Sequence, residues 1–424
     1  MPTLMLGRRA ALLGLTAAWT MGRVSLALAN APTDRRFVVV ILRGALDGMA
    51  AIVPYGDANL TAWRAPLIPG AVGSQGGMLD LGGYYGLHPA LAPLHDLYAA
   101  GQLLPLHAVA GHYRSRSHFE AQDYMESGAD HRMTSGWLNR VVTAMPASLR
   151  SNASGSAALS VGLSMPLLLR GPEPVGSYAP PAGQRPSADL YARIAELNQA
   201  DRITGPAIED GLRTRGFSAE VLANRPEPDT MGDRMAGGNL ASPAHGAAGD
   251  HAPRPDAFAS LAQTCGTLLA ADDGPRVAAL EIGGWDTHSA QAPRLGQPLH
   301  ELSAGLLALK AGLGPVWNRT VVLVMTEFGR TVRVNGTGGT DHGTGTVAFA
   351  LGGPVAGGRV GGSWPGLAQG NLLENRDLQP TTDLRSVAKG LLAAHFGLSN
   401  HALVSVFPDS EAAPAMNGLL RAEG

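Results

Sequence analysis

Cysteine is all but missing from this chain of 424 residues: Cys265 stands alone, which excludes any intrachain disulfide. Charge is scarce as well. Only 16% of residues are charged and the net charge is −2, so the chain carries neither the basic footprint of a nucleic-acid binder nor an acidic tail. Beyond the first thirty or so residues no apolar run reaches membrane-spanning length, and no internal repeat is visible. What remains is a chain long enough to bury a large core, as one big α/β domain or two smaller ones. Glycine and proline are plentiful, 56 and 30 residues, which points to many tight loops between regular elements.

The N-terminus reads as a targeting segment. Arg8-Arg9 precedes an apolar run, and Ala27-Leu28-Ala29 fits a small-residue cleavage site. The paired arginines resemble a twin-arginine signal, which exports proteins already folded to the periplasm or beyond. A general secretory signal is the alternative; a retained anchor is disfavoured because Arg23 interrupts the apolar run. The expected organisation is a cleaved signal over residues 1–29 and a single domain over 36–410. Within that domain the Gly-, Pro- and Ala-rich stretch from about Arg225 to Pro255 reads as a flexible insert, with His245 and His251 as solvated side chains.

Phe37 to Leu42 is a continuous β-branched run, as expected of a strand buried on both faces of a parallel sheet. Similar runs recur in "LLPLHAVAG", "AALSVGL", "PRVAALEIGG", "TVVLVMTEFG" and "TVAFALGG". Helical stripes lie between them: Leu299, Leu302, Leu306, Leu309 and Leu313 in one, Leu384, Val387 and Leu391 in another, the latter closed by Gly397. Phe258, Leu261, Cys265 and Leu268 share helical spacing, which makes the lone cysteine a core residue rather than a nucleophile. The alternation predicts an α/β fold with a mostly parallel sheet flanked by helices.

Ligands of such sheets bind at the carboxyl ends of the strands. Four groups fall there: Asp47 in "RGALDG", Asp286 and His288 in "GGWDTH", Glu327 and Arg330 in "TEFGRT", and Asp341 with His342 in "GGTDHG". Carboxylates and imidazoles without thiolates suit Zn²⁺, Mn²⁺ or a similar divalent ion. Each group also has an ordinary structural reading: a turn at Asp47-Gly48, a helix cap at Asp286-Thr287, an ion pair between Glu327 and Arg330, and Asx turns in the glycine loop. Their coincidence at one sheet edge favours a shared metal site. Further, Arg114, Arg116 and His118 surround Ser117 where the chain leaves the "LLPLHAVAG" strand, so a helix start there offers N–H groups and cations to an anion. Ser117 fits a nucleophile toward a phosphate or sulfate ester; with Glu120 it equally fits a capping box. His395 in its helix's last turn reads as a cation suited to the dipole.

With "LRGALDG", "YRSRSHFEAQDYMESG", "GGWDTH", "TEFGRT" and "GGTDHG" in this order behind such a signal, the chain resembles the bacterial domain-of-unknown-function family 1501 from about Arg36 to Phe407. That family is grouped with the alkaline phosphatase and sulfatase superfamily, so the resemblance implies a two-metal site on this kind of sheet. It implies Asp47 as first-strand ligand, Ser117 near the nucleophile position, and Asp286 and His288 as a later ligand pair. The chain departs from the superfamily at Glu327-Phe328, where an Asp-His pair is usual and Phe328 cannot bind metal. The sulfatase signature around a formylglycine-forming residue is absent. The expectation is therefore an exported metal-dependent hydrolase of small anionic esters, acting through Ser117 or water activated at the metal, with Arg114, Arg116, His118 and Arg330 toward the substrate. The alternative is an extracytoplasmic metal- or ligand-binding protein without turnover. Neither reading involves nucleic acid or a membrane span, and no protein partner is legible.

Overall fold

The structure, a computed structural model, describes residues 34–146, 156–179 and 257–422. The predicted signal and the insert at about 225–255 lie outside the described residues, as do His245 and His251. The described strands are β1 (Arg36–Leu42), β2 (Ile52–Val53), β3 (Leu79–Asp80), β4 (Gly86–Leu87), β5 (Leu103–Ala110), β6 (Ala158–Val161), β7 (Val175–Tyr178), β8 (Val277–Ile282), β9 (Thr320–Thr326), β10 (Thr346–Leu351) and β11 (Thr382–Asp383). Eight of them form one sheet in the order β11-β5-β10-β9-β1-β8-β6-β7, and β2, β4 and β3 make a small antiparallel one. The large sheet is mostly parallel: β1 runs with β8 and β9, and β6 with β7 and β8. The exception is β10, antiparallel to both β9 and β5.

All seven residues of β1 are buried. Val38, Val40 and Leu42 enter one apolar cluster, and Phe37, Val39 and Ile41 the other. A period-two backbone with β-branched side chains on both faces can be buried only between two layers. Those layers are helices. The first cluster takes in α-helices over Ala257–Ala270 and Gln291–Leu313, the second those over Trp137–Ala144 and Leu384–Phe396. Each large side chain so buried contributes roughly 1.5–3 kcal/mol. Cys265 sits in the first cluster, fully buried, its thiol pushed up by desolvation. The helix ending at Phe396 closes on Gly397 at φ 69°, a left-handed cap as predicted. His395, expected as a cation at that helix end, is corrected: burial lowers its pKa to about 3 and Nε2 lies 2.8 Å from the Arg36 carbonyl. Among the described residues no helix is long and apolar enough to cross a membrane.

The direction of β10 decides the site. The parallel strands β1, β8 and β9 end at one edge, and the loops leaving them place Asp47, Asp286-His288 and Glu327 there. Asp341 and His342 precede their strand, and because β10 runs the other way, its beginning lies at that same edge.

Candidate metal centre

Three imidazoles and a carboxylate meet at this edge. His342 Nε2 lies 2.9 Å from His118 Nε2 and 2.9 Å from His288 Nε2. Asp286 adds its oxygens at 3.1 Å from His288 Nε2, 3.6 Å from His342 Nε2 and 3.7 Å from His118 Nε2. His118, Asp286 and His342 offer ligand atoms all within 4.8 Å of one another. Atoms bonded at about 2.0–2.1 Å to a tetrahedral ion stand roughly 3.3 Å apart, so these separations fit a small divalent cation.

The other ring nitrogens fix the protons. His118 Nδ1 is 2.8 Å from Glu327 Oε1, His288 Nδ1 is 3.3 Å from Asp341 Oδ1, and His342 Nδ1 is 3.0 Å from the Arg116 carbonyl. Carboxylates and carbonyls only accept, so each Nδ1 carries a hydrogen and each ring turns its Nε2 toward the cluster. His342 Nε2 stands close to both other imidazoles, and the Asp286 carboxylate beside them attracts a cation. Burial, helped by the charges of His118 and Arg330, holds His342 below its ordinary pKa. Burial would raise the Asp286 carboxyl, but the Arg330 hydrogen bond and charge outweigh it and keep the group ionised.

Tight backbone approach makes this convergence feasible. A Cβ on Gly339 would stand 2.3 Å from the His288 backbone, so only glycine lets the "GGTDHG" loop lie against the "WDTH" loop. Arg116 adopts φ 59°, an uncommon left-handed conformation at a site where its carbonyl serves His342. Its side chain is anchored: Nε is 3.0 Å and Nη2 2.8 Å from Asp377 Oδ2, and Nη2 is 2.6 Å from Glu374.

Several roles read from the sequence change here. His118, assigned to substrate, stands among the side chains that could hold an ion. Glu327 and Asp341, assigned to metal, hold the outer nitrogens of His118 and His288 instead. Glu327 is buried and also accepts from Gln122 Nε2, the Gly44 amide (both 3.0 Å) and Thr326 Oγ1 at 2.8 Å; burial would raise its carboxyl, but these bonds hold it below the usual range. Asp47 leaves the set altogether. It is fully buried, pairs with Arg64, accepts from Gln291 and from the Ala50 amide, and lies within ion-pair distance of none of the three histidines. At this edge, among the described residues, one such cluster is assembled, where the resemblance implied two metals.

The expected anion-binding arginines are also committed elsewhere. Arg330 is fully buried and donates to the carbonyls of Gly44, Ala45, Trp285 and Thr340 and to Asp286, lacing three loops together. Arg114 folds back onto the Gly111 carbonyl, and Arg116 is paired as described. Ser117 opens the helix His118–Ser127 but makes no side-chain capping bond, while Glu120 accepts from Tyr113; the capping box is not formed. Phe328 walls the cluster, its ring centroid 4.9 Å from that of His118 and 5.1 Å from that of His342. Sequence reasoning did not find Gln122, Gln291, Asp377 or Arg64. Only the acid-rich "LLENRD" around Asp377 offered a signal, and that a weak one.

Because outer partners set ring orientation and basicity, Glu327→Gln is expected to lower metal affinity by about 10- to 100-fold while the ion still binds. Competition titration against a chromogenic chelator measures this, and unchanged affinity would detach Glu327 from the site.

Fold and site together define an α/β protein with a histidine-aspartate cluster, able to hold a metal ion, at the carboxyl edge of its sheet. The family model described as Protein of unknown function (DUF1501) matches residues 104–407, most of the chain, and this chain belongs to that family. The match takes in all the motifs above except "LRGALDG", which precedes it. Comparison with curated proteins finds no match.

Proposed function

We propose that this chain is an exported, metal-dependent hydrolase of phosphate or sulfate esters on an alkaline phosphatase-like sheet. One divalent ion, zinc or manganese, would be held by His118, Asp286, His288 and His342. The observation that carries the reading is the close approach of the His118, His288 and His342 Nε2 atoms to one another and to the Asp286 carboxylate, since imidazole and oxygen donors without thiolate are the ligands of such ions. When bound, the ion supplies Lewis acidity toward an ester oxygen and lowers the pKa of a water molecule. Solvent reaches the cluster from one side, where the Asp286 and His288 side chains are 48% and 46% exposed. Glu327, Asp341 and the Arg116 carbonyl keep the three imidazoles oriented, each through its Nδ1. Ser117 lies between Arg116 and the ligand His118, half-buried and with its hydroxyl unused by the helix start, which supports it as the nucleophile. Export through the folded-protein route to the periplasm completes the proposal.

A second reading, a metal- or ligand-binding protein without turnover, draws on the internal pairing of Arg116 and Arg330 and on Phe328 in a position where the superfamily has a ligand. A screen of the purified chain against aryl phosphates, phosphodiesters and aryl sulfates, with defined metals, separates the two. Hydrolysis that requires the metal is expected. Ser117→Ala should then abolish turnover, keep the metal, and change stability by less than about 0.5 kcal/mol, because no cap is lost. Metal binding without hydrolysis of any of these esters would favour the second reading; wild-type turnover in Ser117→Ala would remove the serine from catalysis.

A further inference from the structure

We infer that the anionic group of the ligand is taken by a pocket on the Asp341 side of the cluster, with Arg333 as its principal donor. This rests on the reading of the cluster as a metal site that receives an anionic ligand. The pocket is an open cleft of about 170 Å³, lined in part by Trp63, Arg333, Asn335, Asp341, Asn375 and Arg376. At roughly 30 Å³ per water molecule, it has room for several waters or one tetrahedral oxyanion.

Arg333 differs from the other arginines near the site. Among the described residues no carboxylate or carbonyl accepts from its guanidinium; its contact is with the face of Trp63, Cζ standing 4.7 Å from the ring centroid. The indole is itself fixed, Nε1 donating to the Leu367 carbonyl at 2.8 Å. A guanidinium stacked on an anchored aromatic ring keeps its charge and its planar fork while losing orientational freedom before any ligand arrives. On another wall Arg376 is held by Asp377 Oδ1 at 3.1 Å and by the His342 carbonyl at 2.8 Å, yet remains 40% exposed. Asn335 adds an amide, though its Nδ2 already bonds the His288 carbonyl at 2.9 Å and Asp341 Oδ1 at 3.1 Å.

Asp341 is the opposing charge. Its Oδ1 receives Asn335 Nδ2 at 3.1 Å and faces His288 Nδ1 at 3.3 Å. Two guanidinium groups against one carboxylate leave the lining net positive. An oxyanion therefore seats toward Arg333 and Arg376, and the pocket is linked to the cluster through Asp341 and the His288 ring, whose Nδ1 faces Asp341 and whose Nε2 faces His342. The substrate class is accordingly a small ester bearing a phosphate or sulfate group that this pocket holds beside the metal.

The test is calorimetric titration of the full chain with inorganic sulfate, and separately with inorganic phosphate, at low ionic strength. Loss of charge-assisted hydrogen bonds should make Arg333→Gln bind sulfate roughly tenfold or more weakly than wild type. Arg333 is exposed, so the variant should fold normally. Arg359→Gln, an exposed arginine that donates to the Gly418 carbonyl, should bind as wild type does. His342→Ala, with the ligand set broken, should keep sulfate binding while losing metal, which separates failure of this inference from failure of the metal reading. The inference is overturned if wild type binds neither anion, if Arg333→Gln binds sulfate as tightly as wild type, or if His342→Ala loses sulfate as Arg333→Gln does.

Discussion

His342→Ala should strip the metal from the protein and leave the fold standing. His342 is central to the cluster, its Nε2 2.9 Å from each of the other two imidazole nitrogens. Its loss should weaken metal binding by more than the 10- to 100-fold typical of an outer-shell change. Stability distinguishes this from general damage. A ligand that binds only the folded state, at a thousandfold excess over its dissociation constant, stabilises by about 4 kcal/mol, and wild type should gain that on adding metal while the variant gains almost nothing. Without metal the order should close or reverse. The substitution removes the close Nε2 contacts with the two other imidazoles, and this relief offsets the packing lost against Phe328 and the bond lost to the Arg116 carbonyl, so the chelated proteins should agree to within about 1 kcal/mol. Metal analysis with thermal melts, both in chelator and in excess ion, reads all four quantities. A variant that retains metal with wild-type affinity would sink the site.

Much of this was legible in the sequence because it depends on local pattern. Continuous β-branched runs announced buried strands, and Asp286, His288 and His342 stood out as donor residues among glycines where strands begin or end. Two kinds of information were not local. The first is direction: nothing in "TVAFALGG" says that the strand runs against its neighbours, which is what carries Asp341 and His342 to the shared edge. The second is which acid faces which base. Glu327 and Asp341 have the chemistry of ligands, and sequence does not say that each turns to the far nitrogen of a histidine instead. The arginines make the same point from the other side. Arg114, Arg116 and Arg330 sat beside the motifs and are engaged internally, whereas Arg333, two residues beyond the "TEFGRT" motif, has its guanidinium placed by Trp63, far away in the chain.

Asp47 makes the distinction measurable, because a carboxylate at a strand end is either a ligand or half of a buried pair. The structure gives it Arg64, whose side chain is almost fully buried, together with Gln291 Nε2 and the Ala50 amide. Arg64 in turn donates to the carbonyls of Thr331 and Val332 at 2.9 and 3.2 Å, so the pair fastens the helix Leu60–Arg64 to the loop that leads toward Asp341. Removing one partner strands the other charge away from water, which costs about 3–5 kcal/mol. Arg64→Met should accordingly lower stability by that amount, and Asp47→Asn by a comparable one, since Arg64 would then be left unpaired. Replacing both together, as Asp47→Asn with Arg64→Met, should recover part of the loss, because no buried charge is then orphaned. Metal affinity measured on the folded fraction of Asp47→Asn should stay within a few-fold of wild type, the carboxylate having no histidine of the cluster within reach. Urea unfolding gives the first set of quantities and chelator competition the second. If Asp47→Asn melted as wild type does but released the ion, Asp47 would return to the ligand set and the Arg64 pair would have to break when metal binds.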